Sequence, residues 1–168
     1  MTRKIKFPFL ACLLFSFGVM AASDDTATNA PAPGAMAVKR AFFALSVADV
    51  ARTAAWYVEN LGFRVDKTGR IEKSGIDFAL VSRPDTLVEI VGFASAKPRA
   101  ALGLAPDKPH EVHGIMKIGF EVADIDALYK RAKDKRLRIF DLVEARDVRL
   151  RTFGLYDPDN NIVQIFGK

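Results

Sequence analysis

Cysteine and histidine, two residue types common in nucleophilic and metal sites, are scarce in this sequence. The one cysteine is Cys12, and the two histidines are His110 and His113. His113 shares strand parity with Lys117, but four residues of extended chain separate the two by about 13 Å. Isolated loop histidines lack the second carboxylate or imidazole that a metal site requires. We therefore interpret both histidines as solvated loop residues, and we see no nucleophile triad or phosphate-binding loop.

The N-terminal residues have the layout of a secretory signal peptide. Three basic residues within the first six precede an apolar run from Phe7 to Met20. That run is shorter than the stretch of about 20 residues that crosses a bilayer. Val19-Met20-Ala21 has the small-residue pattern of a cleavage site. We predict a signal peptide at residues 1–21, cleaved near Ala21 or Ala22, and hence a secreted or periplasmic protein.

Cleavage there would leave a nearly neutral protein without a thiol. The full sequence has 25 basic and 20 acidic residues, and residues 1–21 contain three basic and no acidic ones, which leaves 22 against 20. Such a balance argues against nucleic-acid binding, which calls for a clustered basic face. Loss of Cys12 excludes disulfides, thiolate metal sites and cysteine nucleophiles. We expect no nucleic-acid partner and no membrane association after cleavage.

The remaining sequence predicts one α+β domain. Residues 22–38 are rich in Ala, Pro, Thr and Asp without an apolar period, so we predict a disordered linker there. Residues 39–168 form a single domain with two modules, 39–95 and 113–168, each of the order β-α-β-β-β. The proline-containing stretch 96–112 is predicted to be the connecting loop.

Helix signals appear once in each module. Asp49 and Asp124 are expected to cap the two helices, and Gly62 should end the first one. The second module lacks a glycine where its helix should end, near Arg136 and Leu137. Strands are predicted at Ala41–Val47, Phe63–Asp66, Ile76–Val81, Leu87–Val91, Ile115–Val122, Arg138–Val143, Arg149–Tyr156 and Ile162–Phe166. Turns are predicted at Lys67–Arg70, Arg83–Asp85 and Asp157–Asn161.

The two modules are related by a constant offset of 75 residues. Val47-Ala48-Asp49 recurs as Val122-Ala123-Asp124 at the matching strand-to-helix junction, without a gap. This placement favours duplication of one module.

These features resemble the vicinal oxygen chelate superfamily, which includes glyoxalase I, extradiol dioxygenases, fosfomycin-resistance enzymes and bleomycin-resistance proteins. The resemblance covers about Ala41 to Lys168 and implies two modules whose curved sheets face a shared cleft. The motifs that carry it are Leu45–Asp49, Trp56-Tyr57 through Leu61–Phe63, Val88–Ile90, Phe120–Asp124 and Tyr156–Ile165.

The resemblance also implies a divalent metal held by four positions, one on the first and one on the last strand of each module. Carried over to this sequence, these positions are Phe42, Glu89, Lys117 and Gln164. Glu89 is the one credible ligand, because phenylalanine has no lone pair, lysine is normally protonated and the glutamine carbonyl is a neutral ligand of modest strength. A lysine ammonium about 4 Å from the ion would in addition cost roughly 8 kcal/mol at an effective dielectric of 20. We therefore predict no metal and no cofactor.

Strand alternation indicates which side chains face the cleft. Lys117 and Glu89 are predicted to form an ion pair there, with Gln164 hydrogen-bonded to one of them. Arg149 and Arg151 would either attract an anionic ligand or protect an exposed strand edge. The predicted ligand-binding residues are Phe42, Ser46, Glu89, Lys117, Glu121, Arg151 and Gln164.

Two functional classes follow from the sequence. The first is an exported, metal-free protein that binds a small molecule between the modules. The alternative is an enzyme, either a metal-dependent lyase or dioxygenase of the superfamily or one that uses Glu89 as a base beside Lys117. The sequence leaves open whether the protein is a monomer or a module-swapped homodimer.

Overall fold

The chain follows the order β-α-β-β-β twice. The computed structural model describes residues 39–105, 113–145 and 150–168. The predicted α+β fold of two tandem modules is confirmed. The first module contains β1 (Ala41–Ser46), α1 (Val50–Leu61), β2 (Arg64–Ile71), β3 (Ile76–Arg83) and β4 (Thr86–Gly92). The second contains β5 (Ile118–Glu121), α2 (Ile125–Asp134), β6 (Ile139–Ala145), β7 (Leu150–Tyr156) and β8 (Ile162–Gly167).

Each module forms a four-stranded sheet in which the first and last strands run parallel at one side. The strand orders are β1-β4-β3-β2 and β5-β8-β7-β6. Ala44 pairs with Glu89 in the first sheet, and Gly119 pairs with Gln164 in the second. Adding 75 to both residue numbers of the first pair gives the second pair. The two sheets therefore have equivalent strand register.

Both predicted helix caps are present. Asp49 and Asp124 each accept a hydrogen bond from the backbone N–H three residues later, at 2.9 and 2.8 Å. Gly62 ends α1 with a φ of 68°. After α2 the left-handed residue is Arg136, with a φ of 53°. In α2 the C-cap Lys135 is right-handed, so the left-handed residue comes one position later than in α1. Because that residue is an arginine, it carries the steric cost that a Cβ brings in this region.

The predicted turn at Lys67–Arg70 is wrong, because β2 continues to Ile71 and the chain turns at residues 72–75. Gly75 has a φ of 65°, which favours glycine at this turn. All of β2 is exposed because it is the edge strand of its sheet. An edge strand with solvent on both faces need not alternate between apolar and polar residues, so the sequence pattern did not reveal its length.

β5 is shorter than the predicted strand Ile115–Val122. Its first pairing joins Ile118 to Val163, one residue after β8 begins. Ile162, the residue opposite Lys117 in this register, already belongs to β8, but the pairing starts one residue later. Lys117 therefore lies in the approach to β5. The Ile115 side chain is 76% exposed.

One hydrophobic core joins the described parts of both modules. The rings of Phe63 and Phe120, one from each module, meet edge to face with centroids 5.7 Å apart. Arg131 at the end of α2 donates a hydrogen bond of 2.6 Å to the carbonyl of Glu59 in α1. These contacts fix the two sheets relative to one another.

The predicted signal peptide and linker lie outside the described residues. No helix among the residues that the structure describes is both long and apolar enough to cross a membrane.

Candidate functional site

The four positions that the resemblance assigns to a metal do not offer a suitable donor set. Phe42 is 56% exposed on β1, and its ring has no donor atom. Glu89 lies on β4 and Gln164 on β8, whereas Lys117 brings a cation. One carboxylate and one neutral amide oxygen do not match the several oxygen or nitrogen ligands of protein metal sites. Within residues 39–105, 113–145 and 150–168, no three His, Cys, Asp or Glu side chains gather as a metal site.

The predicted ion pair between Lys117 and Glu89 is wrong. In the described part of the chain, neither side chain has an ion-pair partner within 4.0 Å. The shortened β5 explains this, because Lys117 precedes the strand and so does not follow its alternation. Glu89 is half-buried between Ala44 and Leu80 of the neighbouring strands.

Gln164 is hydrogen-bonded within its own sheet, which corrects its predicted bond to Lys117 or Glu89. Its amide donates to the hydroxyl of Thr152 at 2.7 Å. The strand residue paired with it on β7 is Gly154. The ring of Phe140 lies over this glycine, since a Cβ added there would be 1.7 Å from the ring's Cζ. The sheet surface beside Gln164 is therefore covered by Phe140.

Arg151 lies on the α2 side of the second sheet. It donates two hydrogen bonds to the carboxylate of Asp126 in the first turn of α2, one of them at 2.7 Å. This hydrogen-bonded pairing lowers the pKa of Asp126. Arg151 has the parity of Phe153, whose ring packs against Tyr129 of α2 at 5.2 Å. Since alternate side chains face opposite sides of a sheet, Arg151 faces away from the predicted ligand site.

A cleft of about 410 Å³ lies between β1 and the approach to β5, where the two modules meet. We call it the seam cleft. Two predicted ligand-binding residues line it, Ser46 and Lys117. The other five, Phe42, Glu89, Glu121, Arg151 and Gln164, do not. The wall also contains Phe43, Phe93, Ala96, Lys97, Pro98, Arg99, Ile115, Met116, Asp159, Asn160 and Asn161.

The loop after β4 supplies two cations to the seam cleft that sequence reasoning missed. Lys97 lies in the loop, and Arg99 begins a short 3-10 turn at residues 99–102. Neither belongs to a periodic segment, so no sequence pattern indicated the direction of its side chain. Pro98, which precedes this turn, was the one local signal, and it indicated only a loop.

The turn between β7 and β8 closes the other side of the seam cleft. The side chain of Asp159 accepts hydrogen bonds from the backbone N–H of Ala48 at 2.9 Å and from the hydroxyl of Thr53 at 3.3 Å. Asn160 has a φ of 66°, as the predicted turn requires. Asp157 is buried within the turn, and this burial raises the pKa of its carboxyl although Asn161 and the N–H of Asp159 donate to it.

Of the two histidines, His113 is exposed, and His110 lies outside the described residues. Glu121 is exposed at the end of β5. Neither His113 nor Glu121 lines the seam cleft. The structure thus brings together two of the seven predicted ligand-binding residues.

Residues 39–165 match the family model described as the Glyoxalase/Bleomycin resistance protein/Dioxygenase superfamily. The chain belongs to this superfamily. The match confirms the resemblance inferred from the motifs. No curated protein matches the chain in sequence.

Solved structures of the glyoxalase superfamily share the fold at low identity. The glyoxalase family protein from Enterococcus faecalis is 16% identical with a TM-score of 0.61, over 77% of this chain and 96% of that one. A glyoxalase family protein from Bacillus cereus is 13% identical with a TM-score of 0.63, over 82% and 98%. The fosfomycin resistance protein FosX from Listeria monocytogenes, complexed with Mn(II) and sulfate, is 14% identical with a TM-score of 0.54, over 76% and 89%. At these identities the similarity establishes the fold alone.

Proposed function

We propose that this member of the glyoxalase superfamily is an exported, metal-free protein that binds a small molecule in the seam cleft. The observation that carries the proposal is the cleft itself, which combines apolar walls with a hydroxyl, amides and cations. Its volume of about 410 Å³ falls within the range of roughly 300–1,000 Å³ found for small-molecule sites. Ser46 and Lys117 are the predicted ligand-binding residues that take part.

The alternative, a metal-dependent lyase or dioxygenase, is less well supported by the donor atoms. Glu89 lies beside Leu80 and Ala44, and the amide of Gln164 is bonded to Thr152. A metal at the position used by relatives would need donors from elsewhere in the chain. Stoichiometric Zn, Mn, Fe or Ni in the purified protein would contradict the metal-free proposal.

Filling the seam cleft should weaken ligand binding. We expect a Ser46→Phe variant to lower the affinity for any ligand found by fragment screening at least about tenfold, because the added ring occupies the cleft. The measurement is a ligand titration of ¹⁵N-labelled protein, monitored through the amide chemical shifts. The wild-type shifts should change around Ser46, Lys117 and the 97–99 loop.

Glu121→Phe provides the matched control for Ser46→Phe. Glu121 is 75 residues after Ser46, exposed at the end of β5 and outside the seam cleft. The Glu121→Phe variant should leave ligand affinity unchanged. Equal weakening by both variants, or shift changes centred away from the seam cleft, would contradict the proposed site.

Export is the second part of the proposal and rests on the N-terminal sequence. When the full chain is expressed in a Gram-negative host, we expect the periplasmic fraction to contain a protein whose N-terminus begins after Ala21 or Ala22. Mass spectrometry of the intact protein measures this directly. Full-length protein confined to the cytoplasm would contradict export and leave the binding proposal intact.

A further inference from the structure

We propose that the ligand of the seam cleft is a small organic anion, with a carboxylate or a phosphate-like group attached to an apolar body. This inference deepens the proposed function and rests on it. It names the chemical class that the cleft selects, and it follows from the charges and apolar surfaces that line the cleft.

Three cations line the seam cleft without a counterion among the described residues. Lys97, Arg99 and Lys117 have no ion-pair partner within 4.0 Å in the described segments. Arg99 is half-buried, whereas the two lysines are exposed. A guanidinium beside two ammonium groups presents a donor set that suits carboxylate or phosphate oxygens. The cleft therefore has cationic donors that no acidic side chain in the described segments pairs with.

The one acidic side chain among the described residues of this wall is already hydrogen-bonded. Both carboxylate oxygens of Asp159 accept bonds, one from Ala48 and one from Thr53. Counting its charge against the three cations leaves a net charge of +2 on the cleft wall. The local field therefore favours an anion, although Asp159 reduces its strength.

Apolar side chains complete the cleft. Phe43 lines it from β1, and Phe93 and Ile115 line it from the two ends of the connection between the modules. Phe93 is 44% exposed and Ile115 is 76% exposed. Such exposed apolar groups beside cations suit a ligand with one charged end and one apolar end.

A second arginine cluster in the chain does not have this character. Arg40, Arg64 and Arg83 line a smaller surface depression of about 330 Å³. Arg64 is paired with Asp66 at 3.0 Å, and Arg83 donates to the carbonyl of Leu61 at 2.6 Å. Because two of its three cations already have partners, this cluster is a weaker candidate for anion binding.

Calorimetric titration of the mature protein with matched probes tests the inference. Benzoate and phenylphosphonate are the anionic probes, and benzamide is a neutral probe of similar shape. We expect at least one anion to bind at least about tenfold more tightly than benzamide, with an affinity that falls as salt is raised. A preference for phenylphosphonate would indicate a phosphate-like group, and a preference for benzoate would indicate a carboxylate.

Charge-removing variants connect that preference to the seam cleft. Lys117→Gln and Arg99→Gln should each lower the affinity for the preferred anion about five- to tenfold while leaving the affinity for benzamide unchanged. Lys73→Gln is the control, because Lys73 is exposed in the β2–β3 turn, away from the cleft. Two separate variants are used so that a folding defect in one does not decide the result.

The outcomes separate the two proposals. Binding of benzamide in the seam cleft as tightly as the anions would overturn the anionic class and support the binding function. Anion binding that is unaffected by both variants would also overturn the inference. If the fragment screen and all three probes leave the amide shifts of the seam cleft unchanged, the proposed binding function fails as well.

Discussion

Replacing Asp159 with alanine is expected to lower the free energy of unfolding by about 2–3 kcal/mol, because it removes charge-assisted hydrogen bonds across the junction between modules. The Asp159 carboxylate accepts from the N–H of Ala48 and the hydroxyl of Thr53. Thr53 is fully buried, so its hydroxyl would lose this acceptor in a place that water does not reach. The measurement is urea unfolding at neutral pH.

Asp85→Ala is the control for that experiment. Asp85 lies in the β3–β4 turn of the other module, and its carboxylate accepts a bond of 3.1 Å from the adjacent Thr86. Its loss should cost less than about 1 kcal/mol, since a local bond links no separate elements. If Asp85→Ala destabilises the protein as much as Asp159→Ala, Asp159 has no special role in joining the modules.

Gly167→Ala is expected to destabilise the protein by about 1–3 kcal/mol through overpacking. A Cβ at Gly167 would lie 2.7 Å from the carbonyl oxygen of Val122 and 3.4 Å from the Cβ of Ile125. The carbonyl belongs to the backbone of Val122, directly after β5, so the clash cannot be relieved by a side-chain rotation. The N–H of Val122 also donates to Phe166 at 2.8 Å, which holds this backbone in place.

The duplicated module supplies a matched comparison at Gly92, which precedes Gly167 by 75 residues. A Cβ there would lie 3.0 Å from a methyl carbon of Val50 and 3.8 Å from the carbonyl oxygen of Val47. Since a methyl group can shift and alanine reduces the entropy of the unfolded chain, Gly92→Ala should cost less than about 1 kcal/mol. Thermal and urea unfolding of both variants measure the difference. Equal costs would mean that the backbone at Val122 shifts as easily as the Val50 side chain.

The sequence was sufficient for the architecture because the architecture depends on local, repeated signals. Asp49 and Asp124 cap their helices as predicted. The offset of 75 residues anticipated equivalent register in the two sheets, where Glu89 and Gln164 occupy matching positions. Asn160, within the turn predicted at Asp157–Asn161, has the positive φ that asparagine tolerates in turns.

The candidate site was less predictable because it depends on contacts between distant segments. Lys97 and Arg99 reach the seam cleft from a loop without periodicity. Arg151 pairs with Asp126 on a helix 25 residues away, and strand alternation alone did not specify which face of β7 would meet that helix. Lys117 lies outside the expected strand because the pairing of β5 with β8 starts one residue later, at Ile118.

The most direct test of metal-free binding at the seam cleft is a titration of the mature protein before and after exhaustive treatment with EDTA. The ligand is the tightest anionic probe, and amide chemical shifts are recorded at each step. We expect the same dissociation constant in both titrations, with shift changes at Ser46, Arg99 and Lys117. Loss of binding after EDTA treatment, or shift changes centred on Glu89 and Gln164, would contradict the account and favour a metal site in the superfamily's usual position.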